Sequence, residues 1–391
     1  MKYLRGYFAA AIFGAITWIL MEFGKRFSVL IDMVYPYVDR NVLDFLAQWS
    51  GQVDFCLWQL LAVFLGVLVL ATLVLVVALK GNIIQWFGWV AAVCSAIYML
   101  NTLVFGMNYY AGDLSADLRM KVTNYTLEEL EEATTYYRDH ANALAMAVNR
   151  DEKGYVVYED FDTLAAKAGD GFRSLTYDRS YPVFAGSTQP VKKLGWADMY
   201  TSMGITGFTF GLTGEAAVNP KAPDTSLPFT MCHEMAHRMC IASERDANFA
   251  AFLACAQNPD NQFVYSGYFM AFRYCYNALC SVPSYGAAEA AARIRAGVND
   301  YLSFDISAYD YFYQSNKKET ATKVGDTVND AYLKTSGEKA GIASYGQVCD
   351  LLVNWHLQEV VLPTLVVEED PFDPLDPTQV DLSGIVNARN G

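Results

Sequence analysis

Two histidines one helical turn apart, with a glutamate directly after the first, are the residues in this chain best suited to chemistry. They stand in Leu227-Pro-Phe-Thr-Met-Cys-His-Glu-Met-Ala-His237, where the pattern H-E-x-x-H follows a proline placed to open a helix. On a helix, His233 and His237 project from one face at the separation two imidazoles need to hold one Zn2+. Glu234 is rotated by about 100° from His233, beside the ion rather than on it, where a carboxylate can take a proton from a water that the metal activates. Such chemistry attacks a carbonyl, and a peptide or protein is the substrate expected. The chain holds only four histidines, and two of them fall in this pattern.

A catalytic zinc centre takes three protein ligands and keeps one position open. Glu244 is the candidate for the third. On an unbroken helix it would lie about 10 Å beyond His237 along the axis, out of reach of a shared ion. A turn around residues 240–243 must therefore redirect the chain, and Ser243-Glu-Arg-Asp246 reads as a capping box opening a new helix there. The plain alternative makes Glu244 a first-turn residue of that helix, where a carboxylate suits the helix dipole.

Hydrolysis through a tetrahedral centre also needs a donor for the oxyanion. Tyr345, Tyr332, Arg273 and His356 are candidates by type, in a chain whose many tyrosines also serve packing. Just upstream of the histidines, Thr209 to Asn219 is glycine-rich with partial alternation. Gly214, Glu215, Ala216 and Val218 are expected on a strand, either one that pairs with an extended substrate or an ordinary structural one.

The elements that must carry this site divide at about residue 112. Of the 391 residues 53% are hydrophobic and only 18% charged, too apolar for an ordinary soluble protein. Residues 55–79 and 84–108 are uncharged runs longer than the roughly 20 residues that cross a bilayer. Lys80-Gly81-Asn82 between them makes an antiparallel hairpin with Trp86 and Trp89 near the interface. A shorter run, residues 6–22, follows Lys2 and Arg5 and is read as a first span in preference to a cleaved signal peptide, because no small-residue cleavage site closes it. Residues 1–112 are thus a multi-pass anchor in the cell membrane, and the basic residues on its two sides slightly favour a cytoplasmic domain without deciding it.

Residues 113–367 have the composition of one globular domain, mainly helical with a small sheet. Thr126-Leu-Glu-Glu129 is a capping box opening a long helix to about Asn149. Residues 155–200 are Tyr- and Gly-rich and are expected as loops and short strands. The tail, residues 368–391, is acidic and proline-rich. A net charge of −14 with no basic cluster excludes a nucleic-acid partner. The eight cysteines form no C-x-x-C pair, which excludes a zinc ribbon.

Glu244-Arg-Asp-Ala-Asn248 resembles the E-x-x-A-[DN] helix of gluzincin-type peptidases, although the interval after His237 is shorter than in most of them. The resemblance implies that Glu244 binds zinc and that Asn248 supports a histidine. A resemblance over most of the chain is to the bacterial membrane proteins called domain of unknown function 3810. It is carried by Thr213-Gly-Glu-Ala-Ala-Val-Asn219, by the histidine and Glu244 segments, by Asn329-Asp-Ala-Tyr-Leu-Lys334 and by Gly341-Ile-Ala-Ser-Tyr-Gly346. It implies a zincin-like domain facing outward and brings no substrate. The expectation is a membrane-anchored peptidase with one zinc ion. The alternatives are a zinc-containing sensor or peptide-binding scaffold that does not cleave, and a metal-free membrane adaptor.

Overall fold

The computed structural model describes residues 2–336 and 347–361. Three helices, α1 (Arg5–Arg26), α3 (Leu57–Ala78) and α4 (Ile83–Val104), are long and apolar enough to cross a membrane. Each has 22 residues, about 33 Å of helix against a hydrocarbon core of about 30 Å. α1 lies along α4 in the same direction, with Gly6 against Gly88 near one end and Gly24 against Tyr110 near the other. α3 and α4 form the expected hairpin: the chain reverses at Lys80, whose φ is +52°, and the Asn82 side chain caps α4 by accepting from the Gln85 amide at 2.8 Å. α4 ends four residues earlier than its apolar run, because the chain tightens at Phe105 into a 3-10 turn over Gly106–Tyr110.

Between the first two of these helices runs α2 (Ser28–Ser50), which the apolar pattern does not announce. It carries Pro36 in its interior and buries Asp39, Arg40, Leu43, Ala47 and Ser50 on one face. The opposite face leaves Val38, Phe45 and Trp49 exposed. The Arg40 guanidinium donates to the carbonyls of Met239 (3.3 Å) and Pro182 (3.0 Å), which ties α2 to the large domain.

The domain begins with a short α5 (Leu114–Asp117) and α6 (Leu127–Ala145). The Thr126 capping box is present, with both reciprocal bonds made. Residues 155–200 depart from the expectation of loops and strands, since they contain α7 (Phe161–Tyr177), started by the Asp160 side chain accepting from the amides of Asp162 and Thr163. The glycines that make this stretch look irregular are contact points: Gly171 sits directly on the carbonyl of Ala254, where any β-carbon would collide.

A small sheet follows, with β1 (Lys192–Lys193), then α8 (Ala197–Met203), β2 (Gly207–Phe210) and β3 (Glu215–Val218). β3 is central, parallel to β1 and antiparallel to β2 with Gly207 opposite Val218 and Phe210 opposite Glu215. Helices α9 (Leu227–Arg238), α10 (Glu244–Ala256) and α11 (Asn261–Ser281) stack behind it. Met231, Cys232 and Met235 of α9 and Phe249, Ala250 and Leu253 of α10 lie in one apolar core with α6 and α7. α12 (Tyr285–Ala296), α13 (Asp300–Asn316), α14 (Glu319–Ser336) and α15 (Val348–Trp355) complete the described elements. The acidic tail lies outside the described residues.

The sheet is joined to the hairpin by one carboxylate. Glu215, fully buried on β3, accepts from the amides of Leu57 (2.7 Å) and Trp58 (2.8 Å), two of the N–H groups that the start of α3 leaves without helical partners. The same carboxylate takes Lys192 Nζ (2.7 Å) and Thr213 Oγ1 (2.7 Å). Lys192 gives its remaining protons to the carbonyls of Ser50 and Phe55. Gly214, with φ +64°, brings the β2–β3 turn so close to α2 that a β-carbon there would stand 2.6 Å from Ala47 N and Leu43 O. The end of α2, the start of α3 and the sheet therefore form one polar joint.

Candidate metal centre

α9 opens with Pro228 in its first turn. Its two histidines face one side, with ring centroids 4.7 Å apart and planes at 87°. The helix stops at Met239, and Cys240 adopts φ +71°. The amide of Ile241 bonds to Ala236 O (3.1 Å) and that of Cys240 to His237 O (2.9 Å), the paired bonds of a Schellman turn with cysteine at the position glycine usually takes. This is the redirection that Glu244 requires. Ser243 holds the N-cap position of α10, yet its hydroxyl makes no capping bond. The capping box read from Ser243-Glu-Arg-Asp246 is absent because Asp246 turns instead to the Leu114 amide (3.0 Å) and Arg245 (2.8 Å).

The turn brings three side chains together. His233 Nε2 and His237 Nε2 are 3.1 Å apart, and Glu244 Oε2 is 3.2 Å from the first and 3.5 Å from the second. All three residues are buried. His237 Nδ1 lies 2.9 Å from the Ile241 carbonyl, which can only accept, so Nδ1 carries a proton and Nε2 turns its lone pair to the cluster. Three atoms rich in lone pairs thus converge in a buried place, and among the described residues Glu244 Oε2 and His233 Nδ1 have no hydrogen-bond partner. Ligand atoms about 2.0 to 2.1 Å from a tetrahedral zinc ion stand roughly 3.3 Å from one another, and the three separations here bracket that value. The donor set and its spacing fit zinc.

Without an ion, a proton must serve. Burial works against a charged His237, but the Glu244 carboxylate outweighs it and raises the imidazole to about 9. Glu244 itself, despite burial, is held far below the usual carboxylate range by the two histidines.

Glu234 points away from the ligand triangle into the gap between α9 and β2. Thr209 Oγ1 lies 2.7 Å from its Oε2 and 2.8 Å from its main-chain oxygen. Burial pushes the carboxyl up, and His233, His237 and the threonine bond pull it back. Gly207 lies against this side chain, leaving no room for a β-carbon. Neither Gly207 nor Thr209 stands out in the sequence, because their contact with Glu234 arises from packing of strand on helix.

Of the residues expected to meet a substrate, Glu215, Ala216 and Val218 lie on β3, the buried central strand, and Gly214 lies in the turn before it. That expectation is corrected: β2, one strand earlier, is the edge. Gly207, Phe208 and Thr209 line a cleft of about 580 Å³ that also holds His233, Glu234, His237 and Glu244. Phe105, whose ring meets His237 edge-on at 6.5 Å, and Tyr109 also line it. Val328 and Asn329 of α14 close another side.

Among the oxyanion candidates, Arg273 is engaged with Asp310 (2.7 Å) and stacks over Tyr309, and His356 packs on Tyr136 near Glu132; neither lines the cleft. Tyr345 and the side chain of Tyr332 lie outside the described residues, as does the 341–346 motif. Tyr109 is the tyrosine that borders the cleft among the described residues, and no local pattern marks it. Asn248 Oδ1 accepts from the Tyr274 hydroxyl (3.2 Å) and not from a histidine.

A buried three-ligand cluster at the foot of a cleft, in a mainly helical domain joined to three apolar helices, is the architecture to be placed. The chain belongs to the family described as Protein of unknown function (DUF3810), whose family model matches residues 33–353. No curated protein and no solved structure matches it.

Proposed function

We propose that this chain is a membrane-anchored, zinc-dependent peptidase with a zincin-like domain. The observation that carries the reading is the convergence of His233, His237 and Glu244 at ligand spacing beside a buried, threonine-held Glu234. Zinc held there supplies Lewis acidity, activating water and polarising a carbonyl. The protein's own share is positional. The Schellman turn sets the tautomer of His237, Thr209 orients Glu234 to receive a proton, and the outer edge of β2, which no described strand pairs, offers main-chain groups to an extended peptide. Tyr109 brings a hydroxyl to the lining of the same cleft.

In this reading α1, α3 and α4 cross the cell membrane and the domain lies outside the cytoplasm, as the family resemblance implies. Labelling of the exposed Cys280 by a membrane-impermeant maleimide on intact cells checks the side. The intact base distinguishes this reading from a scaffold that binds without cleaving. Glu234→Gln tests it directly: cleavage of a peptide library is lost while zinc stays bound, and unchanged cleavage by the variant contradicts the role of Glu234.

A further inference from the structure

We infer that the substrate is itself anchored in the membrane, and that the bond cut lies in an extended segment within about ten residues of the bilayer surface. The inference rests on the peptidase reading and adds where the substrate must come from.

The cleft is built out of the ends of the apolar helices. Phe105, edge-on to His237 at 6.5 Å, is the residue directly after the last residue of α4. On the other wall, Phe208 and Phe210 of the edge strand pack on Trp58, in the first turn of α3, at 5.2 and 5.8 Å. The β2–β3 turn lies on the last turn of α4, where a β-carbon on Gly211 would stand 2.7 Å from Phe105 Cβ and 3.7 Å from Asn101 Oδ1. α14, which closes the cleft on a third side, reaches further along α4, since Tyr98 OH donates to Thr335 O at 3.2 Å. Three walls therefore contact the last turns of α4 or the first of α3.

Depth follows from these contacts. One residue of helix rises about 1.5 Å, so the histidine pair lies within about 10 Å of the level at which α4 ends. The headgroup layer extends about 5 to 7 Å beyond the hydrocarbon core on each side. The ligand triangle is thus at or just above the headgroups. The joint at Glu215 holds it there: moving the sheet outward would strip the start of α3 of its cap and take Lys192 from the carbonyls of Ser50 and Phe55.

α2 supports the same level. It begins beside the end of α1 and finishes beside the start of α3, so both its ends are held at one membrane face. Its apolar Val38, Phe45 and Trp49 share one face and point away from the protein, as in a helix resting in the interface.

A folded soluble protein cannot bring a loop to this depth without meeting the bilayer first. A chain leaving a transmembrane helix passes the cleft as a matter of course. At about 3.3 Å per extended residue, three to five residues bridge the distance from the core boundary to the histidines.

The test uses the full chain, zinc-loaded, in phosphatidylcholine vesicles. The probe is a pool of unstructured segments of about forty residues, varied so that each residue type occurs at each position, supplied either free or attached to a single apolar helix of about twenty residues. The anchored pool should be cut about tenfold faster or more, because confinement to the bilayer raises effective concentration, with cuts clustered in the first ten or so residues after the helix. If the free pool is cut as fast, or cuts in the anchored pool spread evenly, the membrane inference is overturned while the peptidase reading stands. If neither pool is cut, both fall together.

Discussion

Gly207 and Glu234 touch across the gap between β2 and α9, so closely that a β-carbon on residue 207 would stand 2.6 Å from the glutamate Cγ. The edge strand and the base are therefore placed by one contact. Glu234 is also held by Thr209, two residues along the same strand and facing the same way.

Gly207→Ala should push the carboxylate off its position without reaching the ligands. A displacement of about 1 Å at a reacting group costs up to roughly a hundredfold in rate. We expect kcat to fall by about that factor while zinc content and thermal stability stay near wild type. Equal activity in the alanine variant would show that Glu234 has room to spare.

Zinc and proton compete for His237, and the direction is fixed by its raised pKa. Burial opposes the charge, Glu244 favours it, and the balance places the metal-free group at about 9 against an ordinary 6.5. A raised pKa stabilises the fold fully below 6.5 and loses that contribution as pH climbs through about 9. The metal-free protein should therefore lose Tm between about pH 7 and 9.5, whereas the zinc-loaded protein, whose ligand nitrogen carries no proton, should not show that loss. Zinc uptake at about pH 7 should release close to one proton from this residue, read by a pH indicator in weak buffer.

Lys192→Met tests the joint between sheet and hairpin. It leaves Glu215 buried and charged, with backbone amides and a hydroxyl as its remaining partners. Removing one member of a buried pair costs about 3 to 5 kcal/mol. Thermal unfolding in detergent should show a drop of that size, and a change within error would mean that Lys192 is not needed to hold the joint.

What the sequence made legible was what depends on near neighbours along the chain. His233, Glu234 and His237 are one turn of helix, and the need for a break before Glu244 follows from helix rise alone. The three apolar helices are visible as composition. α2 was not, because Pro36 and the charges of Asp32, Asp39 and Arg40 interrupt its apolar run, and its buried polar groups find partners on distant segments. α7 was obscured by Gly169 and Gly171, whose use is close packing against other segments. The choice between β3 and β2 as the edge depended on which strand pairs twice, a tertiary fact. Phe105, Tyr109 and Thr209 enter the cleft only because the end of α4 and the sheet meet there.

The central claim is that His233, His237 and Glu244 hold one zinc ion. Metal quantification on the purified full chain, with His237→Ala beside it, tests this most directly. The account requires roughly one zinc per wild-type chain and essentially none in the variant. A wild-type protein that binds no zinc when it is supplied, or a variant that keeps it, would contradict the account.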